Sequence, residues 1–286
     1  MLCFFVSDLH GDRARYETLF AHIAAERPAA VFLGGDLLPM PMDRRWALEL
    51  GRADFVADLL ASGFEALSRT LGNAYPRVFL ILGNDDARIE EAALRAIAAR
   101  GLWRYVHAAR SRLGEHPVYG YSHIPPSPFL LKDWERYDVS RFVDPGCVSP
   151  EEGRRTVPVA AHELRYGTIQ KDLELLVGND ELEQAIFLFH APPYETPLDR
   201  AALDGRRIDH VPLDVHIGSI AIERFIRARQ PLLTLHGHVH EAERLTGTWR
   251  TRIGRTHVFS AAHDGPELAL VRFDPARLEQ ATRELC

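Results

Sequence analysis

The run Leu2-Cys3-Phe4-Phe5-Val6-Ser7-Asp8-Leu9-His10-Gly11 lies at the start of the chain. Its five apolar residues read as a short buried strand, and Asp8 and His10 follow at once. Residues two apart in extended backbone face the same way, so both side chains can reach one ligand. The arrangement recurs. Val31-Phe32-Leu33 runs into Gly34-Gly35-Asp36, and the apolar run Val78 to Leu82 runs into Gly83-Asn84-Asp85-Asp86.

Between these runs the apolar period changes from two to that of a helix. Tyr16, Leu19, Phe20 and Ile23 mark a helix over Gly11 to Glu26, which Pro28 ends. Val56, Leu59, Leu60, Phe64, Leu67 and Leu71 mark a long amphipathic helix over Trp46 to Leu71. Ile89, Ala93 and Ile97 mark a third, stopped by Gly101. Strand and helix alternating three times predict an α/β fold with a parallel sheet covered by helices. Ligands of such sheets bind beyond the carboxyl ends of the strands. Asp8, Asp36 and Asn84 all fall there.

The second half repeats the theme less regularly. His116 to Tyr121 reads as a strand. Thr168 starts a helix carrying Leu173, Leu176 and Val177, with Gly178 as its cap. Ala185 to Phe189 is a strand ending at His190, Ile217 to Arg229 is helical, and Leu232 to Leu235 is a strand running into Gly237-His238-Val239-His240. Strands are expected near His257 to Phe259 and Leu268 to Phe273, and a short surface helix over Pro275 to Cys286. Residues 122–167 and 191–215 are rich in proline, glycine or charge and show no strong period. Long irregular loops are often functional, so both are expected to form a wall or lid over the site. No linker or repeat divides the chain, and residues 1–286 read as one domain.

Composition bounds the function. The chain has 286 residues, 46% of them apolar and 26% charged, as in ordinary soluble globular proteins. Its net charge is −6, with no basic run of five or more, which argues against a dedicated nucleic-acid surface. Three widely spaced cysteines, Cys3, Cys147 and Cys286, fit neither a disulfide framework nor a thiolate zinc site. Cys3 reads as a small core residue. The first residues lack the basic segment and apolar stretch of a signal peptide, and no run reaches membrane-spanning length. A cytoplasmic protein with no membrane partner is expected.

Seven candidate metal ligands are thus spread along the chain: Asp8, His10, Asp36, Asn84, His190, His238 and His240. A mixed oxygen and nitrogen set of this size suits two divalent cations sharing one carboxylate. Such a pair makes a hydroxide and clamps a phosphate. Imidazole donors favour manganese, iron, zinc or nickel over calcium, and manganese is the expected ion. Two carboxylates and a bridging hydroxide do not neutralise two divalent ions, so the residual positive charge favours an anionic substrate. Gly178-Asn179-Asp180 repeats the Gly83-Asn84-Asp85 tripeptide, but it follows an amphipathic helix and reads as a cap and turn. Only the copy that follows a strand is a ligand loop.

These elements, Asp-x-His, Gly-Asp, Gly-Asn-Asp-Asp, a lone His and Gly-His-x-His over residues 8–240, resemble the calcineurin-like metallophosphoesterases. The resemblance implies a four-layer α/β/β/α sandwich, two mixed sheets flanked by helices. It implies that Asp8, His10, Asp36 and His240 hold one metal, and that Asp36, Asn84, His190 and His238 hold the other. The implied reaction is hydrolysis of a small phosphoester by in-line attack of a metal-bridging hydroxide, with Asp36, Asn84, Asp85 and His190 at its centre.

One position departs from the family pattern. A histidine usually follows the asparagine, where it contacts phosphate or protonates the leaving group. Here that residue is Asp85. A carboxylate repels phosphate oxygens and penalises a monoester dianion more than a diester monoanion, so phosphodiesters are the expected substrates. His123, His216 and Arg200 are candidate substrate contacts. His236 reads as strand packing and His22 as a solvated helix residue. Two other classes compete. A protein scaffold with a degraded metal site is disfavoured because every ligand position carries a competent donor. A nucleotide-cofactor enzyme is disfavoured because neither Gly-x-Gly-x-x-Gly nor Gly-x-x-x-x-Gly-Lys-Ser/Thr occurs.

Overall fold

The parallel strands are apolar on both faces because each is covered twice, by helices outside and by a second sheet inside. The computed structural model describes residues 1–40 and 54–286. The first sheet has the order β14-β13-β1-β2-β3-β4. Its parallel centre is β1 (Cys3–Val6), β2 (Ala30–Gly34), β3 (Arg77–Ile81) and β4 (Arg104–Tyr105). β13 (Ala269–Phe273) and β14 (Thr282–Leu285) extend it antiparallel. The second sheet has the order β11-β12-β10-β7-β6-β5. β6 (His116–Tyr121), β7 (Ile186–Phe189), β10 (Leu233–His236) and β12 (Thr256–Ser260) are parallel. β5 (Ala109–Leu113) and β11 (Arg250–Ile253) are its antiparallel edges.

The two-residue period sorts each strand between two cores. Cys3, Phe5, Phe32, Phe79 and Ile81 meet Val118, Ile186, Leu188, Leu233 and Leu235 between the sheets. Phe32 stacks on Phe79 there, with ring centroids 5.1 Å apart. The alternate residues Phe4, Val6, Val31, Leu33, Val78 and Leu80 face outward. They pack on α1 (Arg13–Glu26), α2 (Ser62–Leu71) and α3 (Glu91–Ala99). On the far side Tyr119, Tyr121, Phe187 and Phe189 pack on α5 (Ile169–Val177) and α6 (Ile220–Arg229). α4 (Ala161–Tyr166) and α7 (Ala242–Thr246) are short, and β8 (Arg207–Ile208) and β9 (Val211–Pro212) form a small hairpin. The expected four-layer α/β/β/α sandwich with two mixed sheets is therefore the observed architecture.

Three elements differ from the sequence reading. The start of the helix expected over Trp46 to Leu71 lies outside the described residues. Its described part begins as a wider π-helical turn, Val56–Ala61, before α2. Pro275 to Cys286 is not a helix. A single 3₁₀ turn at Leu278–Gln280 leads into β14, whose ends pair with Leu268 through Cys286 N to Leu268 O at 3.0 Å. Most β14 side chains are exposed, so its pairing rests on backbone groups and leaves no apolar alternation to read. The edge strands β4, β5 and β11 carry no apolar signal for the same reason, being short and rich in arginine.

The two irregular segments are pinned rather than loose. In residues 122–167, Lys132 Nζ lies 2.5 Å from Glu135 Oε2 with both side chains fully buried. Trp134 Nε1 donates to Asp86 O at 2.9 Å, and Asp133 accepts from Arg88 N at 2.8 Å. That segment therefore sits against the loop after β3. In the second segment Asp199 accepts from Glu195 N, Thr196 N and Gly218 N at 2.9–3.1 Å. Ala201 packs on Val239 and Ala242, and Ala202 N donates to Glu241 Oε1 at 3.0 Å. It sits against the loop after β10.

Candidate metal centre

The parallel strands of both sheets end at one rim, and the loops that leave them carry all seven predicted ligands. Asp8 N donates to Gly35 O and His10 N to Asp36 O, at 3.0 and 2.8 Å, tying the loops after β1 and β2. His238 N donates to Asp8 Oδ1 at 3.0 Å, tying the two sheets together, and Gly237 N donates to His190 O at 2.9 Å, tying the loops after β10 and β7. Asp8, His10, Asp36 and His238 adopt left-handed backbone with φ of 58°, 46°, 51° and 76°. Such strain in non-glycine residues persists where the surroundings enforce it, and it collects at functional sites.

The glycines of the motifs make room for the ligands. A Cβ on Gly83 would lie 2.4 Å from Asp36 Oδ1 and 2.6 Å from His190 Cε1. A Cβ on Gly237 would lie 2.6 Å from Asp8 Oδ2. Gly35, at φ +97°, would bring one within 2.6 Å of His190 Nδ1.

Two groups of donors form. In the first, donor atoms of Asp8, His10, Asp36 and His240 all lie within 4.8 Å of one another. The Nε2 atoms of His10 and His240 face each other at 3.1 Å, and His240 Nε2 is 3.4 Å from Asp8 Oδ1. In the second, His190 Nδ1 is 2.8 Å from Gly34 O. A carbonyl only accepts, so Nδ1 carries the proton and Nε2 points at Asn84 Oδ1 and Asp36 Oδ2, 3.0 and 3.3 Å away. Asn84 is oriented in turn, because its Nδ2 donates to Asp85 Oδ1 at 3.0 Å. The His238 ring lies 5.3 Å from that of His190.

Once Nε2 gives up its proton, a ring lone pair, an amide oxygen and a carboxylate oxygen converge on one spot. Acceptors packed together need a cation between them. The proton equilibria say the same. Burial alone would keep His190 neutral, but the adjoining Asp36 carboxylate overrides it and raises the imidazole to about 10. Burial likewise opposes charge on His240, and the bond to Asp8 raises it to about 9. Burial works against ionised Asp8 and Asp36 too, yet the neighbouring histidines hold both below the ordinary carboxylate range. Burial, with the His190 charge beside it, pushes His238 down to about 3. The carboxylates draw in whatever positive charge is at hand, and the donor set suits borderline divalent ions.

Asp85 sits inside the site. Its amide donates to Asp36 Oδ1 at 2.8 Å, and its carboxylate is 3.7 Å from His10 Nδ1. Burial and then Asp36 raise its carboxyl to about 7. The sequence reading passed over Asp86. It is fully buried and accepts from Gly83 N, Leu37 N and Leu38 N at 2.8, 3.1 and 2.7 Å, so it locks the second ligand loop to the third. A second acid at the end of the glycine turn was the available signal. Arg15 was also missed. Its Nη1 donates to Asp8 O at 2.7 Å and its Nε to Pro266 O at 3.3 Å.

The other candidate contacts lie in the irregular segments or, for His216, immediately after the second. His123 is buried beside Tyr121, His107 and Trp134, its Nδ1 without a hydrogen-bond partner among the described residues. His216 is partly exposed and its Nδ1 lies 2.8 Å from the buried carboxylate of Asp199. Arg200 pairs with Asp204 at 2.5 Å. His236 is a packing residue, as read from the sequence. It is buried, stacked on Phe189, and bonded to Ala191 O and Thr234 Oγ1 at 2.7 Å. His22 is not simply solvated. It is partly buried, with its ring 2.9 Å from Glu26 and 3.1 Å from Arg272.

No curated protein matches this sequence. Solved structures match it at low identity. A Thermus thermophilus protein, TT1561, is 18% identical with a TM-score of 0.55, over 99% of this chain and 98% of that one. A dimetal phosphatase from Danio rerio is 12% identical with a TM-score of 0.51, over 95% of this chain and 92% of that one. At these identities the likeness shows a shared fold. The family model for calcineurin-like phosphoesterases matches residues 1–242, which contain every candidate ligand described above. The chain belongs to the calcineurin-like phosphoesterase family.

Proposed function

We propose that this protein hydrolyses a small phosphoester with two divalent ions, manganese in preference, and favours phosphodiesters over monoesters. The observation that carries this reading is the convergence of two donor groups on the shared carboxylate of Asp36. Asp8, His10, Asp36 and His240 would hold one ion, and Asp36, Asn84, His190 and His238 the other. Bound there, the ions would supply Lewis-acid charge and an acidified water. The dimetal phosphatase fold supports a count of two.

The chain's own residues do the rest. Gly34 O fixes the tautomer of His190, and Asp85 fixes the amide of Asn84, so both donors are preset before substrate arrives. The Asp85 carboxylate beside His10 disfavours a dianionic phosphoryl group more than a monoanionic one. The segments 122–167 and 191–215 lean on the loops after β3 and β10, and from there they would wall the site. Asp199 in the second of these orients His216, just beyond it, whose Nε2 has no hydrogen-bond partner among the described residues and would meet substrate or leaving group. His123 and Arg200 remain further candidate contacts.

The test is a pair of rates on protein stripped of metal and reloaded with manganese. Turnover of bis-p-nitrophenyl phosphate should exceed that of p-nitrophenyl phosphate, and elemental analysis should give two ions per chain. Faster monoester turnover would remove the substrate preference. One ion per chain would remove the binuclear reading.

A further inference from the structure

The free edges of the two sheets, β4 and β5, meet at a second concavity of 460 Å³. It is lined by Tyr75, Arg77, Arg104, Tyr105, Arg110 and Ser111, among others, and by none of the metal-centre residues. Arg77 opens β3, and Asn84 follows the far end of that strand. Six residues, Val78 to Gly83, lie between them, a path of about 20 Å. The cleft is therefore apart from the metal centre, and its role does not depend on the function proposed above.

Its charge is unusual for this molecule. The chain has a net charge of −6, yet residues 92–114 carry Arg95, Arg100, Arg104, Arg110 and Arg112 with no acidic residue among them. Arg95, Arg100 and Arg110 find carboxylates in Glu91, Glu65 and Asp180. Arg104 and Arg112 have no side-chain partner among the described residues. Among the described residues the Arg77 guanidinium donates to Arg112 O alone, at 3.2 Å across the gap between the sheets. Arg104 is in register with Phe79, two residues beyond Arg77 on the neighbouring strand. Strand geometry puts their Cα atoms about 8 Å apart, so both guanidinium groups can reach one ligand.

Arginines on edge strands also guard against strand pairing between molecules. That role needs charge but no concavity, and here Arg77 and Arg104 border a hollow. Its volume lies in the range of small-molecule sites, roughly 300–1,000 Å³. Guanidinium groups recognise phosphate through paired N–H donors. The half-buried Tyr75, held by its hydroxyl to Leu102 O at 2.9 Å, adds a fixed ring to the wall. We propose that this cleft binds a small phosphorylated molecule.

Calorimetric titration of the full-length protein with ADP, inorganic pyrophosphate and adenosine tests this. Wild type and Asp36→Ala should bind ADP or pyrophosphate alike, because Asp36 belongs to the other site. The double variant Arg77→Glu/Arg104→Glu should weaken that binding at least tenfold. It should hydrolyse bis-p-nitrophenyl phosphate within twofold of wild type. Arg104→Gln alone, which breaks no contact among the described residues, should weaken binding several-fold and covers the case in which the double variant misfolds. The proposal is overturned if Asp36→Ala binds neither anion, if the arginine variants bind as wild type does, or if adenosine binds as tightly as ADP.

Discussion

Gly83→Ala should empty the metal centre while Gly178→Ala should not, although both residues begin a Gly-Asn-Asp tripeptide. At Gly83 the added methyl would lie 2.4 Å from Asp36 Oδ1, 2.5 Å from Asp36 N and 2.6 Å from His190 Cε1. Ordinary contact begins near about 3.5 Å, so the neighbours must retreat by about 1 Å. Overpacking of this kind costs about 1–3 kcal/mol. The atoms displaced are the shared carboxylate and a ligand ring. Such sites tolerate about 0.5 Å of misplacement, so manganese affinity should fall at least about 10–100-fold, as when an orienting partner is removed. At Gly178 nothing lies within 4 Å of the added methyl, and the backbone is left-handed at φ +48°. With ψ at −124° the conformation is one that suits glycine, so the cost there is backbone strain alone, about 1–3 kcal/mol, felt in stability and not in metal. Urea unfolding gives the stabilities. Elemental analysis after reloading and the rate on bis-p-nitrophenyl phosphate give the site. If Gly83→Ala kept full metal and a rate within twofold of wild type, or if Gly178→Ala lost metal to the same degree, the packing argument would fail.

Other outcomes follow from the same geometry. Asp36→Asn should reduce metal content below one ion per chain, because both donor groups draw on that carboxylate; retention of both ions would refute its shared role. Raised to about 10 and 9, His190 and His240 are protonated at neutral pH. Their stabilising contribution to the cation-free chain is complete below the ordinary histidine pKa of about 6.5 and fades as pH rises through about 9 to 10. Metal must displace those protons, so manganese affinity measured by titration should rise at least tenfold from pH 6 to pH 8; a flat profile would count against these ligands. Lys132→Met alone should destabilise the fold by about 3–5 kcal/mol by stranding Glu135, whereas Lys132→Met/Glu135→Leu should cost much less. Equal unfolding midpoints for the single and double variants would show that the buried pair does not act as a unit.

Local reading of the sequence found the strands that lead to the candidate ligands because each is short, apolar and ends abruptly in a polar donor, most of them beside glycine. It separated Gly83-Asn84-Asp85 from Gly178-Asn179-Asp180 by the element that precedes each. The structure agrees: Gly178 caps α5, and Asp180 accepts from Tyr119 and Arg110. What it missed lay at edges and in tethers. β14 and β5 are held by backbone pairing and expose much of their surface, so no apolar period betrays them. Asp86 looked like a second loop acid, and only the approach of Leu37 and Leu38 shows what it holds.

The order of donors along the chain determined the family and singled out the candidate ligands, because metal chemistry restricts which side chains suffice and strand ends restrict where they sit. Tertiary structure alone decided which donors face each other, which histidine nitrogen is free, and that Asp85 turns into the site. It also decided that arginines distant from that rim, scattered through strands and turns, border a second hollow. Those facts depend on contacts between residues far apart in sequence, and a chain fixes such contacts only when its sheets close on each other and exclude water between them.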